Sequence, residues 1–229
     1  MDWIKSLAAK FIVFDGPDGS GKSTQFKRFV AHCRQRDVSV CEVREPGGTS
    51  IGEQIRTVLL DPANTDMSLR CEMMLYMASR AQLIEQTIRP ALARRELVLA
   101  DRFISSTLAY QGTASGLPLD EIIEVGQVAI GGLWPNLVVI FDVDEVTAAQ
   151  RMVGASGHRK SGRAIETSLF ADRLEMRGPQ YQQRVREGFL DQAAKQPDRY
   201  LVIDASKDAE AVFAALMAGL RERFATSSD

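Results

Sequence analysis

Gly16-Pro17-Asp18-Gly19-Ser20-Gly21-Lys22-Ser23 is the stretch of sequence that decides the fold. It follows the apolar run of residues 11–15 and fits the pattern G-x-x-x-x-G-K-[ST], which binds phosphates where it joins a strand to a helix. Glycines let the backbone wrap closely around phosphates, and the amides of the loop and of the helix N-terminus face the anion. Lys22 adds a point charge, and the Ser23 hydroxyl is suited to ligate Mg²⁺.

The loop therefore predicts a site for ATP and magnesium. The predicted ATP-binding residues are Gly16, Pro17, Asp18, Gly19, Ser20, Gly21, Lys22, Ser23 and Thr24. The run at 97–101 ends in Asp101, where a carboxylate can hold Mg²⁺ through water, so Ser23 and Asp101 are the predicted metal-binding residues. The alternatives are a glycine-rich turn that binds nothing and, for Asp101, a helix N-cap. Arg102 directly after Asp101 favours the functional interpretation.

Strand-like and helix-like segments alternate along the chain. Short runs rich in Val, Ile and Leu recur at 11–15, 38–43, 97–101, 137–143 and 200–204, and their continuous apolar character is typical of strands buried on both faces. Segments of helical periodicity separate them, such as Leu69 to Arg95, in which the apolar positions are Met74, Ala78, Ala81, Ile84, Ile88 and Leu92. This order predicts an α/β P-loop NTPase: a parallel sheet of about five strands flanked by helices, with ligands beyond the strands' C-terminal ends.

Composition narrows the class of protein. With 229 residues and 45% apolar content, the chain is long enough for one core, so we expect a single domain over 1–229. The net charge of −2 and the mixed distribution of charges argue against nucleic acid as a partner. We find no apolar run of membrane length and no secretion signal, and the three cysteines lie too far apart for common zinc sites. A cytoplasmic protein without membrane partners is expected.

Three further stretches resemble thymidylate kinases. They are Arg44-Glu45-Pro46-Gly47-Gly48-Thr49 followed by Gly52-Glu53-Gln54-Ile55-Arg56, the run from Asp101-Arg102-Phe103 to Ala109-Tyr110-Gln111-Gly112, and Asp172-Arg173-Leu174-Glu175. The resemblance covers nearly the whole chain, and the first two stretches are specific because other nucleoside-monophosphate kinases share only the P-loop. It implies the architecture of those kinases, transfer of the γ-phosphate of Mg·ATP to dTMP in dTTP synthesis, and a homodimer. A kinase for dUMP or UMP and a nucleotide-binding regulator without turnover are the alternatives.

The resemblance also implies which side chains hold the phosphate and sugar of dTMP. Arg44, Arg56 and Arg102 match residues that bind the acceptor phosphate, and a planar guanidinium suits a dianion. Asp18 matches the acid that meets the sugar 3′-hydroxyl, and Tyr110 matches the ring that fills the space of a ribose 2′-hydroxyl. Taken alone, Arg56 is equally well explained as a solvated helix residue.

The thymine base is implied to lie between two helices. Tyr76 and Arg80 are four residues apart, so the ring can stack on a pyrimidine while the guanidinium reaches its O4. Thr107 and Gln111 share a face of the helix after Arg102 and can hydrogen-bond the base edge. A core aromatic beside a surface arginine is the alternative for Tyr76 and Arg80.

A basic segment at about residues 154–173 is predicted to form a mobile lid over the substrates. Some thymidylate kinases carry an arginine in the P-loop after the acid, whereas this chain has Gly19 there. The resemblance therefore places the chain in the subgroup with arginines in the lid. The expected catalytic residues are Lys22, Asp101, Arg102 and a lid arginine, with Arg173 the first candidate and Arg163 the second.

Overall fold

Five parallel strands form a single sheet in a computed structural model that describes residues 2–157 and 178–225. The parallel sheet of five strands agrees with the prediction from the alternating pattern. The strands are β1 (Phe11–Asp15), β2 (Val40–Arg44), β3 (Leu97–Asp101), β4 (Leu137–Asp142) and β5 (Tyr200–Asp204), and they lie in the order β2-β3-β1-β4-β5. Three strands coincide with the predicted runs, whereas β2 begins two residues later than expected, at position 40 rather than 38.

Helices cover both faces of the sheet. Within the described ranges they are α1 (Lys22–Arg34), α2 (Ser50–Leu60), α3 (Leu69–Leu83), α4 (Arg89–Ala93), α5 (Ile104–Thr107), α6 (Leu119–Ile130), α7 (Glu145–Gly157), α8 (Pro179–Lys195) and α9 (Ala209–Phe224). A 3₁₀ turn occupies Trp3–Leu7, and π-helical turns occupy Ile84–Ile88 and Leu108–Thr113. None of the helices in these ranges is both long and apolar enough to cross a lipid bilayer.

The central strand joins two hydrophobic cores. Side chains of a strand alternate between its faces, so Phe11 and Val13 pack into one cluster and Ile12 and Phe14 into the other. The prediction of strands buried on both faces is confirmed for β1, all of whose residues are buried. It is wrong for β2 and β5, because they form the edges of the sheet and expose part of their length.

The long helical segment predicted from Leu69 to Arg95 is divided by its π-helical turn. Ile84 and Ile88 are fully buried, as the periodicity predicts. In the half before the turn, α3, the buried face differs from the predicted one: Met73 and Met77 are buried, whereas Met74 is 53% exposed. An extra residue in a π-helical turn shifts the facing positions by about 100°, so a single helical period cannot describe both halves.

The C-terminal edge of the sheet is where the fold gathers polar side chains. Parallel register brings Arg44 beside Asp101 across β2 and β3, and Phe14 beside Asp101 across β1 and β3. The P-loop leaves β1 at this edge and leads into α1. On the same side, α7 continues through Gly157, so residues 154–157 of the predicted lid are helical, and the remainder, 158–173, lies outside the described residues.

Candidate active site

The phosphate loop requires glycine at two positions for steric reasons. Gly16 has φ +138°, and a Cβ atom there would lie 2.6 Å from the carbonyl oxygen of Phe141. Gly19 has φ +76°, and a Cβ atom there would lie 2.6 Å from the carbonyl oxygen of Ala148. Both conformations are unfavourable for residues with side chains. The loop therefore has no room for the P-loop arginine found in some thymidylate kinases.

The buried hydroxyl of Ser20 has no hydrogen-bond partner within the described part of the chain. A buried polar group without a partner costs free energy, so such groups are rare and usually have a ligand or water as their partner. The position in the loop leaves this hydroxyl available to an anion. The first turn of α1, which starts at Lys22, follows directly.

Lys22 and Asp101 join the P-loop to the end of β3. The Lys22 Nζ atom lies 3.3 Å from Asp101 Oδ1, and Ser23 Oγ lies 3.5 Å from Asp101 Oδ2. Burial alone would raise the pKa of the Asp101 carboxyl, but the charges of Lys22 and Arg102 outweigh burial and lower this pKa. The residue predicted to hold magnesium is therefore kept as an anion beside the predicted hydroxyl ligand.

Arg102 contacts the P-loop and also lines a neighbouring cavity, which we call the second cavity of the site. Its backbone has φ +70°, a conformation rare for residues with side chains. The guanidinium donates to the carbonyl oxygen of Gly16 at 3.2 Å and to Ser106 Oγ at 3.0 Å. It also forms ion pairs with the carboxylates of Asp15 and Asp18. The Arg102 guanidinium thus lies between the P-loop and the second cavity.

Asp15 is a site residue that sequence reasoning missed. It is fully buried at the end of β1, where Ser105 and Ser106 donate hydrogen bonds of 2.6 and 2.7 Å. Burial raises the pKa of Asp15, whereas Arg102 and the two hydroxyls oppose the increase. A signal was present, because an acid ends an otherwise apolar strand directly before the loop.

The second cavity contains most of the residues predicted to bind dTMP. Seven of them line it: Asp18, Tyr76, Arg80, Arg102, Thr107, Tyr110 and Gln111. The three from the segment after Arg102 were expected on one face of a regular helix, but Tyr110 and Gln111 lie in a π-helical turn. The altered winding still directs all three side chains to the same cavity.

Arg80 is held by a carboxylate that sequence reasoning missed. Its side chain is 1% exposed, so the alternative of a surface arginine is excluded. Arg80 Nε donates to Glu45 Oε2 at 2.8 Å, and Nη2 donates to Thr107 Oγ1 at 3.2 Å. Burial raises the pKa of Glu45 to about 7, although the neighbouring Arg80 opposes the increase.

Tyr110 contacts two charged residues that line the same cavity, Asp18 and Arg102. Its hydroxyl donates to Asp18 Oδ2 at 3.1 Å, and the guanidinium carbon of Arg102 lies 5.2 Å from the ring centre. Burial raises the pKa of the Tyr110 hydroxyl, which keeps it a proton donor to the acid. Asp18 therefore faces the second cavity as predicted for an acceptor-side residue.

Arg44 and Arg56 lie outside the lining of this cavity. Arg44 pairs with Glu53 at 3.1 Å on the partly exposed side of β2. Arg56 donates to the carbonyl oxygen of Pro46 at 2.8 Å, and Pro46 itself lines the cavity. The roles of both arginines in phosphate binding stay predictions. Arg56 is connected to the cavity by its hydrogen bond to Pro46, which is one of the lining residues.

A wider cleft of about 540 Å³ opens on the other side of the P-loop. The predicted residues from Asp18 to Thr24 line it together with Arg151 and Lys207, which sequence reasoning did not select. The Arg151 guanidinium donates to the carbonyl oxygens of Ala205, Ser206 and Lys207 at 2.7 to 3.1 Å. The P-loop thus separates two cavities, and Asp18 lines both of them. Arg163 and Arg173 lie outside the described residues.

Comparison with known proteins agrees with this arrangement. A family model described as thymidylate kinase matches residues 14–216. The thymidylate kinase of Symbiobacterium thermophilum is 43% identical over 202 residues, which cover 88% of this chain and 88% of that protein. The thymidylate kinase of Geobacillus sp. (strain WCH70) is 39% identical over 217 residues, covering 95% of this chain and 98% of that protein. The crystal structure of thymidylate kinase from Ehrlichia chaffeensis has a TM-score of 0.71 and 28% identity, covering 93% of this chain and 98% of that one.

Proposed function

The chain belongs to the thymidylate kinase family, and from that membership we propose how its two cavities divide the work of the kinase reaction. The protein transfers the γ-phosphate of ATP to dTMP and forms dTDP and ADP. ATP occupies the cleft of about 540 Å³ beside the P-loop, and dTMP occupies the cavity lined by Tyr76 and Gln111. The two phosphate groups meet at the P-loop, between the cavities.

One observation carries this proposal: Arg102 lines the cavity assigned to dTMP and also contacts the P-loop. Its guanidinium contacts the backbone of Gly16 in the loop proposed to hold ATP and the carboxylate of Asp18, which lines both cavities. A cation at this position can neutralise both the acceptor phosphate and the phosphoryl group in transit. Electrostatic stabilisation of this kind is usually the largest single contribution to catalysis.

The chemistry requires alignment and neutralisation rather than a strong base. A nucleoside monophosphate is already an anion at neutral pH, so no proton has to be removed before attack. Lys22 and the loop amides hold the phosphates of ATP, and Arg102 holds the acceptor phosphate with help from Arg56 and Arg44. Holding both anions in line converts a slow encounter into a reaction within one complex.

The residues beside the P-loop suit magnesium. Ser23 and Asp101 offer a hydroxyl and a carboxylate oxygen, the hard donors that Mg²⁺ prefers, and this ion commonly keeps several waters and few protein ligands. Accordingly, the described ranges hold no cluster of three or more acidic, histidine or cysteine ligands. When bound with ATP, Mg²⁺ neutralises charge on the β- and γ-phosphates.

A lid arginine completes the proposed machinery. A Cβ atom at Gly19 would collide with the Ala148 carbonyl, so the P-loop cannot supply the additional cation. Arg173, with Arg163 as second candidate, is proposed to stabilise the transferring phosphoryl group. Closure over both cavities would also exclude the water that competes with dTMP.

The protein is further proposed to be a cytoplasmic homodimer. Large apolar side chains are exposed on α2, α3 and α6, including Val58, Met74 and Val128, and α3 packs against both neighbouring helices. Exposed apolar groups of this kind mark interaction surfaces. Light scattering of the wild type and of Met74→Glu tests the assembly: the wild type should have the mass of two chains and the variant that of one.

The activity is tested with a coupled assay of ADP release. ATP and Mg²⁺ are supplied with dTMP, dUMP, UMP, dCMP or dGMP, one at a time. We expect the fastest turnover with dTMP and a lower rate with dUMP. Equal or faster turnover of a purine or cytosine nucleotide would contradict the assignment of the acceptor. ATP turnover without any monophosphate would favour a regulator instead.

A further inference from the structure

The edge of thymine has a hydrogen-bond polarity opposite to that of cytosine. Thymine offers an acceptor at O4 and a donor at N3–H, whereas cytosine offers a donor at its 4-amino group and an acceptor at N3. The two bases have similar size and shape, so a hydrophobic pocket distinguishes them poorly. A site that selects thymine needs a fixed donor opposite position 4 and a fixed acceptor opposite position 3.

Arg80 provides the fixed donor. Guanidinium carries five N–H groups and accepts no hydrogen bond. The Nε and Nη2 groups bond Glu45 and Thr107, and one Nη1 hydrogen points to the sulfur of Met77 at 3.0 Å. The second Nη1 hydrogen is left for the cavity that Arg80 lines. The donor half of the base site is therefore determined by the chemistry of the residue itself.

Gln111 has no such intrinsic polarity. Its amide has a donor end and an acceptor end of nearly equal size, and a rotation of 180° exchanges them. A free glutamine would offer its nitrogen to cytosine as readily as its oxygen to thymine. Some other group must decide which end faces the base.

Glu72 is that group. Its carboxylate lies 2.8 Å from the amide nitrogen of Gln111, and both side chains are buried. Because a carboxylate accepts hydrogen bonds and does not donate them, the end of Gln111 that faces Glu72 has to be the nitrogen. The oxygen is then directed away from Glu72, and Gln111 lines the cavity.

We propose that Glu72 is a positioning residue that fixes Gln111 as a hydrogen-bond acceptor and thereby makes the site select thymine over cytosine. This inference rests on the proposed placement of dTMP in the cavity. It assigns a function to a buried acid that does not itself line the cavity. The low dielectric of the interior makes a wrong polarity costly, because the base and the amide would both keep unpaired groups.

Glu72→Gln tests the inference with little change in shape. The glutamine introduced by this substitution can face Gln111 with either end of its amide, so the polarity of Gln111 is no longer fixed. We expect the ratio of kcat/KM for dTMP to kcat/KM for dCMP to fall about tenfold or more, with KM for ATP unchanged. Both kcat/KM values are measured on one preparation, so their ratio does not depend on the fraction of folded protein. A packing defect alone would change that fraction but would leave the ratio unchanged.

A second variant reverses the arrangement. In Glu72→Gln/Gln111→Glu, the introduced amide donates to the introduced carboxylate, whose other oxygen can accept from N3–H. The preference for dTMP should return to within about threefold of the wild type. Glu121→Gln serves as the matched control, since Glu121 pairs with Arg70, which lies on the same helix as Glu72 but at the exposed surface. Its ratio should equal that of the wild type.

The outcomes separate this inference from the proposed function. Turnover of dTMP by the wild type is measured first, because its absence would contradict the assigned reaction. If the wild type and Glu72→Gln are both active and have the same ratio, Glu72 does not set specificity. Should Glu72→Gln fail to fold, the double variant decides: a folded double variant without a preference for dTMP overturns the inference.

Discussion

Lys22 Nζ lies 3.3 Å from the carboxylate of Asp101 and so links the first residue of α1 to the last residue of β3. The two residues are far apart in sequence, and the register of β1 and β3 brings them together. Lys22 is nearly buried, and a buried cation requires a partner. The pair therefore keeps the acid ionised at the position where the magnesium ion of Mg·ATP is proposed to bind.

Asp101→Asn should lower the affinity of the site for magnesium and so raise the magnesium concentration that turnover requires. The amide keeps the shape but loses the charge that orients water on the ion, and loss of such an outer ligand typically lowers metal affinity about 10- to 100-fold. We expect a corresponding rise in the Mg²⁺ concentration required for half-maximal turnover. Asp142→Asn is the control, because Asp142 also ends a strand but pairs with Arg186. An unchanged magnesium requirement in Asp101→Asn would remove Asp101 from the metal site.

Replacing the lid arginines should affect turnover more than binding. A guanidinium that acts mainly on the transition state contributes on the order of 10³-fold to the turnover number, as arginine fingers do. Arg163→Ala and Arg173→Ala, alone and combined, are therefore expected to lower kcat with little change in dTMP affinity. Arg34→Ala, which breaks an exposed pair with Glu42, controls for loss of surface charge. A double variant within a few-fold of wild type would rule out the lid-arginine mechanism.

Tyr110 should control the choice between deoxyribose and ribose through its bulk. Tyr110→Ala opens space near the sugar, and we expect the ratio of UMP to dUMP activity to rise roughly tenfold even if both rates fall. Tyr110→Phe keeps the ring and removes only the hydroxyl that donates to Asp18 at 3.1 Å. Its ratio should stay near that of the wild type. Similar ratios for alanine and wild-type proteins would limit Tyr110 to packing.

Glu45 should make stability depend on pH. Because burial raises its pKa from an ordinary value of 4.5 to about 7, the folded protein holds this proton more firmly than the unfolded chain does. Stability from this group is therefore greatest below about pH 4.5 and decreases as the pH rises towards 7, by up to about 1.4 kcal/mol per pH unit. Denaturant unfolding of the wild type and of Glu45→Gln between pH 4.5 and 8 measures the difference. Parallel pH profiles would contradict it.

The local patterns of the sequence were sufficient for the framework of the fold. The apolar run of a buried strand and the glycine pattern of a phosphate loop each lie within a few consecutive residues, so both can be recognised directly in the sequence. The runs at 11–15, 97–101 and 200–204 became strands with the same bounds, and the P-loop begins α1 at Lys22. The burial of the edge strands β2 and β5 was predicted less well, because burial on both faces depends on the position of a strand in the sheet.

The candidate site was foreseen mainly through its ligand-facing residues. Tyr76, Arg80, Thr107 and Gln111 were selected because family resemblance marks residues that contact substrate, and all four line the same cavity. The buried acids Asp15, Glu45 and Glu72 were not selected as site residues. Each of them contacts an arginine or a glutamine of the site, and none stands at a position where the family resemblance implies contact with substrate.

Tertiary structure alone decided how these charges are paired. Glu45 meets Arg80 across 35 positions of sequence, Glu72 meets Gln111 across 39, and Asp15 meets Arg102 across 87. Such pairs exist only because strand register and helix packing bring distant segments within hydrogen-bond range. A periodic pattern records which face of an element is apolar, but it contains no information about the partner opposite that face. The sequence by itself therefore determined the P-loop, the sheet and the reaction class, whereas the tertiary packing of α3 and of the segments around it decided which acid holds each base-binding side chain.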